Sequence, residues 1–333
     1  SICGGGRYDD LTGIFGLPGD CESSQVVLIS APFDATTSYR AGTHAGPEAI
    51  VDGSLQVDLF DLDTGKPYER GIAVADVDEN IAQWNAEARA LAVPIIESGG
   101  TRATEGLTRI NALCGRMNES VYVSAKHWIH RKKLVGLIGG DHSTVFGSIK
   151  AHAEMYPSMG ILHVDAHADL RQAYEGFIWS HASIMYNVME RLPAVSRLVQ
   201  VGIRDFGEVE FDYIENSDGR IHTFFDARLA KARLDGMSWK EQVDSIVSEL
   251  PQQVYISWDI DGLDPTLCPN TGTPVPGGLS FSQAQMLLEG LVRAKKTIVG
   301  FDLNEVSPGD GNSGWDGNVG ARLLYKMIGY ALL

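Results

Sequence analysis

Six short apolar runs, at 26–30, 134–138, 160–164, 198–202, 254–258 and 298–303, restrict what this chain can fold into more than any other feature. They are rich in Val, Ile and Leu and nearly continuous in hydrophobicity, the pattern of strands buried on both faces of a sheet. Amphipathic stretches alternate with them: Glu79 to Glu97, Ser143 to Met155, His181 to Leu192, Trp239 to Leu250, Phe281 to Ala294 and Val319 to Leu332. Strands alternating with helices build a largely parallel sheet with helices on both faces. Ser143 and Ser280 stand where helix N-caps are expected. No repeat, low-complexity tract or polar linker follows residue 25. The expectation is one domain over 26–333, a size that supports a large core, behind an N-terminal arm of residues 1–25.

Polar clusters begin where the expected strands end: Gly139-Gly140-Asp141-His142, Asp165-Ala166-His167-Ala168-Asp169, Asp259-Ile260-Asp261 and Asn304-Glu305. In open α/β sheets the carboxyl ends of parallel strands form one rim, where ligands bind. Segments distant in sequence therefore meet at one edge. On an extended segment alternate residues point to one side, so Asp165, His167 and Asp169 can converge. Asp259 and Asp261 repeat the arrangement, and His142 adds a second imidazole. Taken alone, a D-x-H or D-x-D is more often a cap or a turn. Four carboxylates in one pocket, however, repel one another and raise each other's pKa unless cations sit among them. Two divalent ions balance the four charges. Carboxylate oxygens with a minority of imidazole and no thiolate suit Mn²⁺ better than structural Zn²⁺. Ni²⁺, Co²⁺ and Fe²⁺ suit the same donors, and the residues leave that choice open.

Composition excludes several classes. The chain carries 27 basic against 43 acidic residues, a formal net charge of −16, which offers no basic face to nucleic acid and permits attraction of a small cation. No apolar run approaches the roughly 18 residues of a membrane span. The first twenty residues lack the basic start and apolar stretch of a secretory signal. Cys3, Cys21, Cys114 and Cys268 show no paired spacing and read as reduced thiols. A cytoplasmic location is expected.

The segments GGDHS at 139–143, DAHADLR at 165–171, SHAS at 180–183, SWDIDGLDP at 257–265 and FDLNEVSP at 301–308 resemble, in order and spacing, the signature of the ureohydrolase superfamily of arginases, agmatinases and guanidino-acid hydrolases. PFDATTSYRAGTHAGPEAI at 32–50 is similar to the agmatinase branch, and the resemblance runs from about residue 26 to the C-terminus. It implies a three-layer α/β/α sandwich around a parallel eight-stranded sheet, assembled into trimers or hexamers. It implies one metal ion held by His142, Asp165, Asp169 and Asp259, and a second by His167, Asp165, Asp259 and Asp261, with Asp165 and Asp259 bridging.

The implied reaction is hydrolysis of a guanidinium to urea. A guanidinium is planar, delocalised and cationic at physiological pH, so its carbon is a poor electrophile. By resemblance, Glu305 orients the guanidinium, Asp169 moves a proton from the attacking hydroxide to the departing nitrogen, and His181 shuttles protons to bulk water, a task an unperturbed imidazole suits. Arginases carry Asn where this chain has Trp179, and Asp where it has Gly207, so arginine is an unexpected substrate and agmatine the expected one. Free guanidine or a short guanidino acid is the alternative. Trp179 beside His181 is expected to narrow the pocket or stack on a cation, unless it faces away as packing. Thr37, in Thr36-Thr37-Ser38-Tyr39, offers a hydroxyl near the rim.

Two readings lie outside this class. A catalytically silent regulatory subunit has no need of four clustered carboxylates. Cys3-Gly4-Gly5-Gly6-Arg7-Tyr8-Asp9-Asp10 resembles a stretch of histidyl-tRNA synthetases, but no other synthetase motif accompanies it. It reads as an arm that covers the domain or meets a neighbouring subunit.

Overall fold

A computed structural model describes residues 13–100, 105–309, 311 and 314–333. The glycine-rich stretch at 3–10 lies outside them. Eight described strands form one sheet: β1 (Val26–Ala31), β2 (Ile72–Val74), β3 (Leu134–Gly139), β4 (Gly160–Val164), β5 (Arg197–Val201), β6 (Ile221–Phe224), β7 (Gln253–Asp259) and β8 (Thr297–Asn304). Ten α-helices accompany them: α1 (Gly46–Ser54), α2 (Asn80–Glu97), α3 (Glu105–His130), α4 (Phe146–Met155), α5 (Ile184–Arg191), α6 (Glu208–Glu215), α7 (Asp226–Leu234), α8 (Trp239–Ser248), α9 (Phe281–Arg293) and α10 (Trp315–Ala331). The strand order is β2-β1-β3-β8-β7-β4-β5-β6, and every pairing is parallel. The six expected strands, β1, β3, β4, β5, β7 and β8, are the six interior strands of this sheet. The two unexpected ones, β2 and β6, are its edges.

Alternation along the strands divides the core. In β1, Val27, Ile29 and Ala31 face one apolar cluster with α2, α3, α4 and α5, while Val26 and Leu28 face the other with α8, α9 and α10. The result is a three-layer α/β/α sandwich. Ile14 and Phe15, in the described part of the expected arm, are buried in the second cluster, with Phe15 against Tyr325. No helix among the described residues is long and apolar enough to cross a membrane.

Ser280 caps α9: its hydroxyl accepts from the Gln283 N–H, and Gln283 Oε1 returns to the Ser280 N–H at 2.9 Å. Ser143 is not a cap. A short 3₁₀ turn, His142–Thr144, precedes α4, and Asp141 caps that turn by accepting from the Ser143 N–H at 3.0 Å. A carboxylate two residues earlier outcompetes the hydroxyl.

Buried on α4 is His152, against Tyr255 of β7. Its Nδ1 donates to the Ser148 carbonyl at 2.8 Å, and Nε2 has no partner. Burial pushes its pKa down to about 4. Below the ordinary imidazole value near 6.5 the unfolded chain takes up a proton that the folded chain refuses. The stabilisation is therefore complete above pH 6.5 and is lost as pH falls towards 4, by about 2 to 3 kcal/mol. His152→Asn keeps the donor and cannot titrate. The difference in unfolding free energy between pH 7.5 and 4.5, from urea melts, is expected to shrink by that amount in the variant. An equal difference in both proteins excludes this role for His152.

Candidate metal centre

The four central strands, in sheet order β3, β8, β7 and β4, end in His142, Glu305, Asp259 to Asp261 and Asp165 to Asp169. The chain leaves β3 for β4 by crossing over the two strands between them, and the polar ends meet in that crevice. Gly139 and Gly140 allow the approach: a Cβ on the first would collide with Asn304 and Thr144, and on the second with the Phe33 backbone.

Convergence is not achieved by simple extension. β4 ends at Val164, and Asp169, five residues on, is itself left-handed, φ +55°. Asp261 lies in a 3₁₀ turn, Ile260–Gly262, where its N–H donates to Asp259 Oδ1 at 2.8 Å. Glu305, the residue after β8, is also left-handed, φ +62°. Such backbone is uncommon outside glycine, and at a functional site it aims the side chain.

The donor atoms form two groups that share Asp165, one of His142, His163, Asp165 and Asp169 and one of Asp165, His167 and Asp261, with Asp259 in neither. His142 Nδ1 lies 3.1 Å from Asp165 Oδ2, 3.3 Å from Asp169 Oδ2 and 3.5 Å from Asp259 Oδ2. His167 Nδ1 lies 3.4 Å from Asp165 Oδ1 and 3.1 Å from Asp261 Oδ2. The two oxygens of Asp165 thus face opposite groups. Asp165, Asp169, Asp259, Asp261 and His142 are buried, and His167 is partly exposed.

These residues fit divalent cations on their own chemistry. Ser257 Oγ donates to Asp302 Oδ1 at 2.9 Å, so it accepts from His142 Nε2, also at 2.9 Å. In the neutral ring this leaves the Nδ1 lone pair facing three carboxylate oxygens, an arrangement that demands a positive charge between them. Without a cation, protons must supply it. Against the opposing effect of burial, Asp165, Asp169 and Asp259 hold His142 well above the ordinary imidazole range. Burial, then Asp165, pushes Asp169 up to about 7. Burial, then Asp261 and Asp165, raises Asp259 well above the carboxylate range. Among the described residues no thiol joins either donor group. Oxygen and imidazole donors suit divalent cations.

Glu305 adjoins the cluster. Its Oε1 accepts from the His142 N–H at 3.1 Å and lies 3.6 Å from His181 Nδ1, while Oε2 is buried without a partner. Burial, then Asp259, raises its pKa well above the usual range. His181 contacts Ser38 Oγ at 3.3 Å through Nε2. Burial pushes its pKa down to about 3, so the unperturbed imidazole expected from the sequence is here a neutral one.

A cavity of about 120 Å³ opens on the cluster, with Ser38, His167, Asp169, Arg171, His181 and Asp205 in its wall. A larger one, about 710 Å³, lies between α2, α3 and the ends of β1 and β2 and contains none of the expected site residues. The chemistry sits at the smaller. Trp179 and Thr37 are absent from the cavity wall, and so is Glu305, which lies 3.6 Å from the wall residue His181. The Trp179 ring packs edge-on against Phe146, 5.0 Å between centroids, with the Arg191 guanidinium 4.9 Å from its centre. These contacts agree with packing, one of the two readings the sequence leaves open for this residue. The Thr37 hydroxyl donates to Asp141 at 3.3 Å, and its neighbour Ser38 lines the cavity instead. Gly207 is the N-cap of α6.

Sequence reasoning passed over the supports of the cluster. His163 Nε2 lies 2.8 Å from Asp165 Oδ2. Ser257 and Asp302 stand behind His142, as described above. The Arg204 guanidinium bonds the carbonyls of Gly202, Asp261, Leu263 and Val275 at 2.7–3.2 Å, tying the loop after β5 to those after β7. For His163, Ser257 and Asp302 the available signal was a polar residue inside an apolar run.

A parallel α/β/α sandwich with a carboxylate–imidazole cluster on the rim of its central strands defines a metal-dependent hydrolase architecture. The chain belongs to the Arginase family, whose model matches residues 24–329. It is 36% identical over 311 residues to the N(1)-aminopropylagmatine ureohydrolase of Thermus thermophilus, covering 92% of this chain and 90% of that protein. It is 30% identical to the agmatinase of Pyrococcus horikoshii, covering 93% of each. Its fold is similar to the solved structure of proclavaminate amidinohydrolase from Streptomyces clavuligerus, with a TM-score of 0.75 at 24% identity over 98% of both chains.

Proposed function

We propose that this chain is an agmatinase-type ureohydrolase, which adds water to the guanidinium carbon of a small cationic substrate and releases urea and an amine. The observation that carries this is Asp165, whose two oxygens serve two groups of convergent donors. His142, Asp165, Asp169 and Asp259 would hold one ion, and His167, Asp165, Asp259 and Asp261 the other, with Mn²⁺ the preferred metal. When bound, the ions neutralise the carboxylates and activate water for attack.

The remaining roles belong to side chains. Glu305 Oε2, buried and unpartnered, accepts a guanidinium N–H and fixes the plane of the substrate. Asp169, facing the cavity beside the cluster, takes the proton of the attacking water and passes it to the departing nitrogen. His181, in contact with Ser38, carries to the cavity the separate proton released when the next water is activated. Residues 26–333 act as one catalytic domain behind the arm at 1–25, in a cytoplasmic homotrimer or homohexamer, as the family resemblance implies.

Agmatine is the first-choice substrate. The 36%-identical relative favours a second reading, N(1)-aminopropylagmatine, and Arg171 in the cavity wall keeps 4-guanidinobutyrate in the comparison. Urea release from these three, guanidine and arginine tests the proposal, alongside metal analysis of the same Mn²⁺-loaded sample. Two ions per chain are expected, with kcat/KM for the amine substrates at least about 100-fold above that for arginine. An arginine preference, or no urea from any of them, defeats it.

A further inference from the structure

Beneath the cluster one rung of the sheet is polar from strand to strand. Parallel register places Thr223 of β6 beside Gln200 of β5, Gln200 beside His163 of β4, His163 beside Ser257 of β7, and Ser257 beside Asp302 of β8. All except Thr223 are fully buried. Polar side chains persist in such a place only when they satisfy one another. The rung has two arms. Ser257 and Asp302 support the ligand His142. The other arm ends on Asp165.

Hydrogen bonds fix every proton along that second arm. The Ala168 carbonyl can only accept, so the atom 2.8 Å from it is the Gln200 amide nitrogen. The Thr223 hydroxyl donates to Gln200 Oε1 at 2.8 Å, which agrees with that orientation. The same amide nitrogen meets His163 Nδ1 at 3.0 Å, so Nδ1 accepts. The ring proton is therefore on Nε2, and it points at Asp165 Oδ2, 2.8 Å away. His163 Nε2 lies within reach of an ion in the His142 group, yet its lone pair is already taken.

We infer that His163 is a positioning residue: oriented by Gln200, it donates to Asp165 Oδ2 and locks the shared carboxylate with one oxygen towards each metal position. This rests on the two-metal reading given above. The terminal torsion of an aspartate is soft, so an unrestrained Asp165 could turn and favour one group over the other. A hydrogen bond at Oδ2, with the His167 N–H donating to Oδ1 at 2.6 Å, removes that freedom while leaving a lone pair on each oxygen.

Mn²⁺ affinity, measured on the full chain by competition with a chelating indicator, separates the alternatives without reference to activity. His163→Phe keeps the ring volume and loses the donor; its affinity is expected to fall about 10- to 100-fold. His163→Gln places an amide N–H at the same reach and is expected to recover most of that loss. Gln200→Leu leaves the ring but frees its tautomer, with an expected loss of about tenfold, and it carries the test if His163→Phe does not fold. Affinity unchanged in Gln200→Leu and in a folded His163→Phe overturns the inference while the two-metal reading stands. Equal loss in His163→Phe and His163→Gln makes His163 a ligand and also overturns it. A wild-type chain that binds no Mn²⁺ removes the functional reading and this inference together.

Discussion

Asp165→Ala is expected to leave a folded chain that retains neither metal ion and whose kcat/KM is lower by about four orders of magnitude. The residue lies at the end of β4 on the rim, and the apolar clusters that hold the sheet do not include it, so its loss is chemical before it is structural. Although burial opposes it, His163, His142 and His167 hold its carboxyl well below the carboxylate range. Removing it withdraws a donor from both groups at once and leaves His142, His163 and His167 without their shared partner. A metal-activated reaction that loses its ions forfeits several kcal/mol of transition-state stabilisation, and each 1.36 kcal/mol is a factor of ten. Asp261 belongs to one group only, so Asp261→Ala is the control and is expected to keep one ion per chain. Metal content by mass spectrometry, with urea release on the same samples, decides the matter. One tightly held ion per chain in Asp165→Ala shows that the carboxylate is not shared.

The same electrostatics explain why the centre was legible in sequence and its supports were not. Acidic residues at strand ends stand out against apolar runs, and the parallel order brings β3, β8, β7 and β4 side by side. The runs that became the central strands are buried on both faces and read as continuous hydrophobicity. β2 has three residues, and β6, Ile-His-Thr-Phe, is half polar; at the sheet edges neither needs two apolar faces. α3 escaped for another reason. Its buried stripe runs through Ile110, Cys114, Met117, Val121 and Ala125, helical in spacing but built partly from small residues that carry little hydrophobic contrast.

His163, Gln200, Ser257 and Thr223 look like isolated polar interruptions until register aligns them into one rung. Trp179 shows the converse limit. Its place two residues before His181 is fixed by the chain, but the direction of its ring is set by Phe146 and Arg191, which come from other elements. Burial is likewise a tertiary property, and it turned His181 from a group expected to titrate near neutrality into one pushed down to about 3.

Glu305→Gln is expected to keep both metal ions and lower kcat/KM by about 100-fold or more. The carboxylate is buried, left-handed in its backbone and bonded through one oxygen only, to the His142 N–H. A glutamine amide oxygen can retain that bond, so the fold and the metal ligands are undisturbed. What disappears is the negative charge at Oε2, which finds no partner inside the chain. Burial and Asp259 raise the pKa of Glu305, so its charge depends on cations offsetting Asp259 and on a guanidinium that brings positive charge and planar N–H donors to the same oxygen. Losing one partner of a buried ion pair costs about 3 kcal/mol or more, equivalent to about two orders of magnitude. The loss is expected in KM as well as kcat, since the interaction exists before the carbon is attacked. Neutral urea should inhibit the variant and the wild type alike, whereas a cationic guanidinium compound that cannot be hydrolysed should bind the wild type about 100-fold more tightly. Equal affinity of that compound for both proteins would place the guanidinium elsewhere in the cavity and remove Glu305 from substrate recognition.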